Sequence, residues 1–427
     1  MPTGLSRIVV VGAGLAGLRT IERLRRQGFD GRLTLIGDEP YEPYDRPPLS
    51  KGMLWSADLD GPHTLSRKDL RTDLDVDLRL GQPVRSVDPV TRKLALADGT
   101  AEAYDALVLA TGSCARGIGP AASELANVHT LRSYDDCVGL GKALRAAGSL
   151  AVVGGGFIGC EVATGAVAAG LAVTMIEPLP VPLGRSLGLV PGQRISELHA
   201  AAGLRICTGI GVIGFDGAQR AERIRLSDGS SVQADVVLLG LGAIPASEWL
   251  RGSGIAVDRG VLCDEFGRTS VAGVWAAGDV AQTLSRPTGR YETVEHWLNA
   301  HEQASIVADN ILTGDGELTA YEPLPYFWSE QNGVRVQVLG RLDPEAAPAV
   351  VELHSERPSV VYLYGEARLT GAVSLNAPAQ LMSLRPLLLN GGTVEDAREH
   401  LITRPSADPA APSPSQRPPS RPFRAAG

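Results

Sequence analysis

The sequence predicts an α/β protein with two Rossmann-like dinucleotide-binding domains and a smaller C-terminal α+β domain. Three observations carry this. A β-branched strand, a G-x-G-x-x-G turn, an amphipathic helix and a second strand followed by acid occupy residues 7–39. The same order recurs at 150–177. After Leu312 the texture changes to an aromatic cluster, valine-rich strands and two short helical stretches.

In the first unit, Ile8-Val9-Val10-Val11 suits a strand buried on both faces. Gly12, Gly14 and Gly17 follow, and Leu15, Leu18, Ile21 and Leu24 recur at helical spacing. Residues 32–36 form a second strand, with Asp38 and Glu39 just past its end. Gly12 allows the tight turn, Gly14 lets the backbone approach a pyrophosphate, and Gly17 lets helix pack on strand. The helix N-terminus meets the phosphate charge. An acid beyond the second strand accepts from ribose hydroxyls.

Residues 40–51 form a loop stiffened by Pro47 and Pro48, each of which fixes φ and lacks an N–H. It ends in Ser50-Lys51, which leaves two readings: an ammonium placed for a ligand, or a surface lysine capping a helix from Ser50. Residues 84–96 and 104–109 read as strands, with Asp98-Gly99 as the hairpin turn between them. Ala110-Thr111-Gly112 is small enough for a ligand to come close. In the repeat, Gly154, Gly156 and Gly159 precede a helix, a strand and Glu177. The stretch 150–176 is long and uncharged enough to span a bilayer, but its glycines and Glu161 read better as strand, turn, helix and strand. Two such units imply two dinucleotides.

Residues 232–241 are strand-like and run into Gly242. Ala276-Ala277-Gly278-Asp279-Val280 places Asp279 where it can bind a polyol hydroxyl. A helix with an acid-led N-terminus is expected from about Glu295, with Val294, Leu298, His301, Ile306, Val307 and Ile311 on one broad face. Tyr326-Phe327-Trp328-Ser329-Glu330 then opens the third domain, with strands at 334–339 and 350–364 and helices at 381–389 and 394–401. From Arg404 on, Pro, Ser, Ala and Arg dominate and a disordered tail is expected. Its arginines (404, 417, 421 and 424) read as solvated, contact with an acidic partner being the alternative.

The 427 residues, 44% hydrophobic and 21% charged, suit a globular enzyme of two or three domains. A net charge of −8 argues against nucleic acid or a membrane surface as partner. Lysine occurs only at 51, 68, 93 and 142, so one inside a motif is informative. The five cysteines (114, 137, 160, 207 and 263) form no C-x-x-C pair and read as reduced residues of a cytoplasmic protein. A strand begins at Ile8, so no signal peptide is expected.

Five motifs now stand in one order: Arg46-Pro47-Pro48-Leu49-Ser50-Lys51, Gly154-Gly155-Gly156-Phe157-Ile158-Gly159-Cys160-Glu161, Ala276-Ala277-Gly278-Asp279-Val280, Val294-Glu295-His296-Trp297-Leu298-Asn299-Ala300 and Tyr326-Phe327-Trp328-Ser329-Glu330-Gln331. Over roughly residues 5–400 the chain resembles the FAD-dependent NADH:ferredoxin reductases of bacterial oxygenase and cytochrome P450 systems. The resemblance implies the glutathione reductase fold: an FAD-binding domain at 1–115 and 245–320, an NAD-binding domain at 116–244 and a C-terminal interface domain at 321–403. It assigns Gly12, Gly14, Leu15, Ala16 and Gly17 to the FAD pyrophosphate, and Asp38 or Glu39 to the adenosine ribose. Asp279, beside Gly278, would bind the ribitol, and Trp297, after Glu295 and His296, the pyrimidine edge of the flavin. Arg46, Pro47, Val84, Ala110, Thr111, Gly112 and Arg132 complete the flavin contacts. Gly154, Gly156, Phe157, Ile158, Gly159 and Gly242 would cradle NAD, with Glu177 on its ribose diol and Arg185 nearby. Two departures, Ala246 for a usual Asn and Thr293 for a common Arg, bear on flavin affinity. The third domain matches less closely, which bears on the partner surface.

The implied reaction passes hydride from NADH, preferred over NADPH, to FAD, and then electrons singly to an iron–sulfur ferredoxin that feeds a P450 or other oxygenase. Lys51 would stand by the isoalloxazine, Glu161 by Lys51 and the nicotinamide, and Trp328 over the nicotinamide side of the flavin, unless Trp328 is only core of the third domain. No metal is expected, and the chain would be a monomer or weak homodimer. The cysteine pattern excludes disulfide reductases, which need a Cys pair beside the flavin. The remaining alternatives are a rubredoxin- or nitrite-reductase-type electron supplier and an apoptosis-inducing-factor-like NADH-binding flavoprotein.

Overall fold

The computed structural model describes residues 4–57, 61–119, 122, 124–314, 316–353 and 359–403; the tail at 404–427 lies outside them. The chain divides into two units. One draws on 4–45, 61–114 and 243–325, the other on 46–57, 115–242 and 326–403.

The first unit is built on a five-stranded parallel sheet in the order Val274–Ala276, Ala106–Leu109, Arg7–Val11, Arg32–Ile36, Val76–Arg79. Its central strand is apolar because both faces are covered: Ile8 and Val10 face one core cluster, Val9 and Val11 another. Helix Leu15–Arg26 buries Leu18, Ile21 and Leu24, as the spacing predicts. Basic residues fill its last turn, where they oppose the negative helix end. Arg25 also donates to the Phe29 and Gly31 carbonyls at 2.7 and 2.8 Å. Helix Trp297–Thr313 lies against it, tied by Arg23 to both oxygens of Asp309 at 2.7 Å. This helix starts two residues later than expected. Glu295 is exposed ahead of its N-cap, His296, and no acid occupies the first turn, so the N-terminus is not acid-led.

The second unit repeats the plan: Arg205–Thr208, Ala172–Glu177, Ser149–Val153, Val236–Leu239 and Val128–His129, all parallel. Its helix Phe157–Ala168 is mainly small and apolar, and half of its residues are buried. The long uncharged stretch is thus strand, turn, helix and strand, and among the described residues no helix is long and apolar enough to cross a membrane. The repeat extends to the insertions. Each unit carries a three-stranded antiparallel sheet, Val84–Asp88, Lys93–Leu96, Ala101–Ala103 in one and Val212–Asp216, Arg223–Leu226, Ser231–Val232 in the other. Asp98-Gly99 does make a turn, with Thr100 N–H on Asp98 at 2.8 Å, but it joins Lys93–Leu96 to Ala101–Ala103. The next strand, Ala106–Leu109, belongs to the parallel sheet, so the expected pairing of 84–96 with 104–109 does not form.

Residues 326–403 form a five-stranded antiparallel sheet, Tyr326–Gln331, Val334–Gly340, Gly371–Leu375, Ser359–Tyr364 and Ala349–Leu353, followed by short helices. The helical stretch expected at 381–389 is two helices, Pro378–Ser383 and Arg385–Asn390, meeting at Leu384 just before Pro386. Tyr364 hydroxyl donates to the Leu187 carbonyl within the same unit.

Residues 46–57, remote in sequence, are fastened into the second unit. Arg46 donates to the Arg132 carbonyl at 2.7 Å, Arg145 to the Ser56 carbonyl at 3.1 Å, and Leu54 is fully buried. Trp55 lies so close to helix Phe157–Ala168 that a Cβ on Gly165 would stand 2.1 Å from its Nε1. Helix propensity alone favours alanine over glycine by about 1 kcal/mol. Here the clash wins, and Gly165→Ala is expected to lower stability by about 1–3 kcal/mol. Denaturant titration checks this, and unchanged or higher stability would refute the packing.

Candidate functional site

In the first unit the chain leaves the central strand through Gly12, at φ 114°, whose N–H donates to the Ile36 carbonyl at 2.7 Å. A Cβ there would meet the Ala110 carbonyl oxygen at 2.1 Å, and one on Gly17 would meet the Gly12 oxygen at 2.0 Å. Protein backbone therefore requires both glycines. Gly14 differs: a Cβ on it would meet nothing within 4 Å. The space over Gly14 is open, the helix N-terminus has no side-chain cap and its first turn holds no acid. The orphan N–H groups at an end of this kind fit an anionic pyrophosphate. Ala110-Thr111-Gly112 lies at the end of the neighbouring strand, and Thr111 donates to the Ala246 carbonyl at 2.8 Å.

The acid sits differently in the two units. Val11 pairs with Ile36 as Val153 pairs with Ile176, so Gly37 takes the position that Glu177 holds in the repeat. A Cβ on Gly37 would be 2.7 Å from that of Ala13, which pushes the acid further along the loop. Asp38 is exposed and accepts from the Glu39 N–H at 3.0 Å. Glu39 is partly buried and held by Tyr44 hydroxyl at 2.7 Å.

Gly278, at φ 77°, donates to Gln303 at 2.9 Å and passes within 2.9 Å (as a Cβ) of Ala16. Asp279 next to it accepts from Ser113 hydroxyl at 3.0 Å. Trp297 opens its helix and donates to Asp45 at 2.9 Å. Burial pushes the His296 pKa down to about 4, outweighing the opposing pull of Asp279. The residue at the N-cap position is therefore a neutral imidazole, and its side chain makes no capping hydrogen bond to the helix.

The second unit repeats the glycine geometry. Gly154 has φ 102°, and Cβ atoms on Gly154 and Gly159 would strike the Gly240 and Gly154 oxygens at 2.4 and 2.3 Å. Gly156 would meet only the Gly240 oxygen, at 3.7 Å, and its helix N-terminus is uncapped and free of acid. Glu177 is buried, with its two oxygens on the Gly155 and Leu179 N–H groups at 2.6 and 2.8 Å. Arg185 is exposed on the short helix Gly184–Leu187, and Gly242 stands at φ 88° with open space over it. Phe157 packs edge-on to Phe327, ring centroids 4.8 Å apart, and Ile158 is exposed.

One turn into that helix, Glu161 brings together residues far apart in sequence. Its side chain is 4% exposed. Oε2 accepts from Lys51 Nζ at 2.8 Å and from Ser50 hydroxyl, and Oε1 from Ser329 hydroxyl at 2.6 Å. Lys51 also donates to the Pro47 carbonyl at 3.2 Å. Lys51 is thus not a free surface lysine. Trp328 neighbours Ser329 on the strand but points to the opposite face, stacked on Tyr326 at 6.1 Å. Val84 begins the antiparallel insertion of the first unit. Sequence reasoning missed Ser50, Ser329, Ser113 and Asp45 as partners of the site. For Ser50 and Ser329 a small hydroxyl in a motif string was the trace; Ser113 stands in none of the five motifs.

The pyridine nucleotide-disulphide oxidoreductase family model matches residues 6–304, and the reductase C-terminal model matches 326–402. The ferredoxin reductase component of chlorobenzene dioxygenase from Cupriavidus sp. (strain PS12) is 36% identical over 92% of this chain and 95% of its own length. The ferredoxin reductase for the CYP199A2 system of Rhodopseudomonas palustris superposes with a TM-score of 0.86 at 32% identity, covering 92% of this chain and 97% of that one. The covalent putidaredoxin reductase–putidaredoxin complex gives 0.82 at 30% identity, covering 93% and 99%.

The lowered pKa of His296 has a measurable consequence. Between pH 6.5 and about 4 the unfolded chain binds a proton that the folded imidazole declines, so this group's contribution to stability falls as pH falls through that window. His296→Gln is expected to flatten the pH dependence of unfolding there relative to wild type. Parallel denaturation curves across that range check it, and identical slopes would refute it.

Proposed function

The chain belongs to the pyridine nucleotide-disulphide oxidoreductase family, and from that premise we propose that it is an NADH:ferredoxin oxidoreductase, holding FAD in its first unit and binding NADH in its second. The observation that carries this is the pair of glycine cradles, one per unit, each with an uncapped helix N-terminus and a middle glycine that the fold itself does not need. Bound FAD supplies a ring that accepts hydride and gives up electrons one at a time.

Each role falls to a residue with a physical reason. Gly12, Gly14, Leu15, Ala16 and Gly17 hold the FAD pyrophosphate, and Glu39, steadied by Tyr44, takes the adenosine ribose. Asp279, oriented by Ser113, binds the ribitol, and the helix N-terminus at Trp297 supports negative charge on the flavin. Gly154, Gly156, Phe157, Ile158 and Gly159 hold the NADH pyrophosphate, and Glu177 its ribose diol. Lys51, directed by Glu161, supplies the positive charge that the transfer of a hydride calls for. The five cysteines are free, and Cys160, beside Glu161, is fully buried with its thiol pKa pushed up. No thiol pair takes the electrons, which favours a separate one-electron carrier. The acceptor class is that of the dioxygenase relative, a ferredoxin feeding an oxygenase. Free cysteines without a disulfide favour the cytoplasm as its place.

The purified protein is expected to be yellow, with one non-covalent FAD, and to reduce a ferredoxin with NADH. Gly14→Val has room in the fold but fills the cradle, so the variant is expected to fold with a wild-type circular dichroism spectrum and lose the flavin absorbance. A colourless wild type, or a yellow Gly14→Val, would end this assignment.

NADH is expected to be preferred over NADPH. Glu177 is held as a fixed carboxylate by two backbone N–H groups, ready to accept from a diol and to repel a 2′-phosphate. Glu177→Ala is expected to shrink the ratio of kcat/KM values for the two cofactors about tenfold or more. A wild type that favours NADPH, or an unchanged ratio, contradicts the role.

A further inference from the structure

Glu161 is held by a chain of hydrogen bonds that the reaction scheme does not use. Ser329 donates to Glu161 Oε1 at 2.6 Å, and Gln331 Nε2 donates to Ser329 Oγ at 3.1 Å. Gln331 Oε1 lies 3.0 Å from His199 Nε2, and Asn332 Nδ2 lies 3.0 Å from His199 Nδ1. An amide oxygen can only accept and an amide nitrogen only donate. The imidazole is therefore the neutral Nε2–H tautomer, and burial, which lowers its pKa, keeps it so. From Asn332 to His199, Gln331, Ser329 and Glu161, every donor points toward the carboxylate. Chains of one polarity strengthen each bond along them.

The backbone explains why these groups meet. Strand Tyr326–Gln331 sends alternate residues to one face, where Phe327 meets Phe157, Ser329 meets Glu161 and Gln331 meets His199. Phe157 and Glu161 are one helical turn apart. Asn332 and Gly333, at φ 50° and 74°, close the tight hairpin that returns the chain as Val334–Gly340. Ser329, Gln331 and His199 are each no more than 2% exposed. A polar chain this deep in the unit is costly unless every member is satisfied.

We propose that Ser329, backed by Gln331 and His199, is a positioning residue: it fixes the carboxylate of Glu161 so that Oε2 faces Lys51 and the ammonium stays directed. Oε2 already serves Lys51 and Ser50, so among the described residues Ser329 is the partner that governs the other oxygen. Without it the carboxylate turns about its terminal bond and Lys51 loses its fixed partner. For catalysis, the inference rests on the roles given above to Glu161 and Lys51.

The test is a double-mutant cycle of Ser329→Ala and Glu161→Gln in the FAD-loaded protein, with two readouts. One is kcat/KM for NADH. The other needs no turnover: the rate at which a small acylating ester labels Lys51, read by mass spectrometry against Lys68, Lys93 and Lys142. Ser329→Ala is expected to lower kcat/KM about tenfold. It is expected to raise Lys51 labelling about threefold, and to change neither readout beyond about twofold once Glu161 is Gln. Additive effects in either readout, or a Ser329→Ala protein indistinguishable from wild type, overturn the proposal. If Ser329→Ala fails to fold, Gln331→Met carries the same cycle with effects of the same sign. A wild type that does not oxidise NADH defeats the functional assignment instead, and the labelling cycle still decides this one.

Discussion

A carboxylate as buried as that of Glu161 must be both neutralised and hydrogen-bonded, and much of the second unit answers that demand. A buried charge stripped of its partner costs on the order of 3–5 kcal/mol. Here the partners come from three separate stretches: Ser50 and Lys51 from a proline-stiffened segment, Glu161 from the helix after the glycine turn, and Ser329 from the C-terminal sheet. Trp55 against Gly165 and Phe157 against Phe327 dock the first and third stretches on the helix that carries Glu161. Apolar contacts bring the segments together, and the polar network sets their register.

The two units solve one problem twice with small differences. In both, backbone carbonyls press on the first and third glycines while the second faces open space. The close packing of Gly37 on Ala13 displaces the first unit's acid along its loop, where Tyr44 steadies it. The second unit keeps its acid at the strand end and fixes both oxygens with backbone N–H groups. A fixed acid at the strand end suits a cofactor that comes and goes. On the proposed reading, Asp279 and Trp297 would add anchors further along the first unit's site, as suits a group that stays bound.

Local physics made much of this legible in advance. Strand, glycine turn and helix occupy contiguous residues whose periodicity and spacing can be read directly, and both units follow that order. The Asp98-Gly99 turn was legible too, but not its partners: Ala101–Ala103 is short and poor in β-branched residues, so it escaped notice and the neighbouring strand took its place. What could not be read were long-range meetings. No pattern near residue 199 marks its histidine as the partner of Gln331, and nothing in Ser329 itself distinguishes a buried donor from a solvated hydroxyl. The docking of 46–57 against Gly165 joins residues more than a hundred positions apart and leaves only a glycine in a helix as its trace.

That interleaving also orders the birth of the molecule. A ribosome delivers residues 46–57 long before the helix that receives them and the strand that completes their network. The parallel sheet of the first unit likewise waits for Val274–Ala276, and helix Leu15–Arg26 for its neighbour Trp297–Thr313. Neither unit can close as a contiguous nascent domain, so both stay incomplete until most of the chain has emerged. Contacts of such long sequence separation pay a closure entropy before they are rewarded. Unpaired edges of parallel strands and the apolar face of Leu15–Arg26 stand exposed in the meantime, the situation in which nascent chains aggregate or need a chaperone.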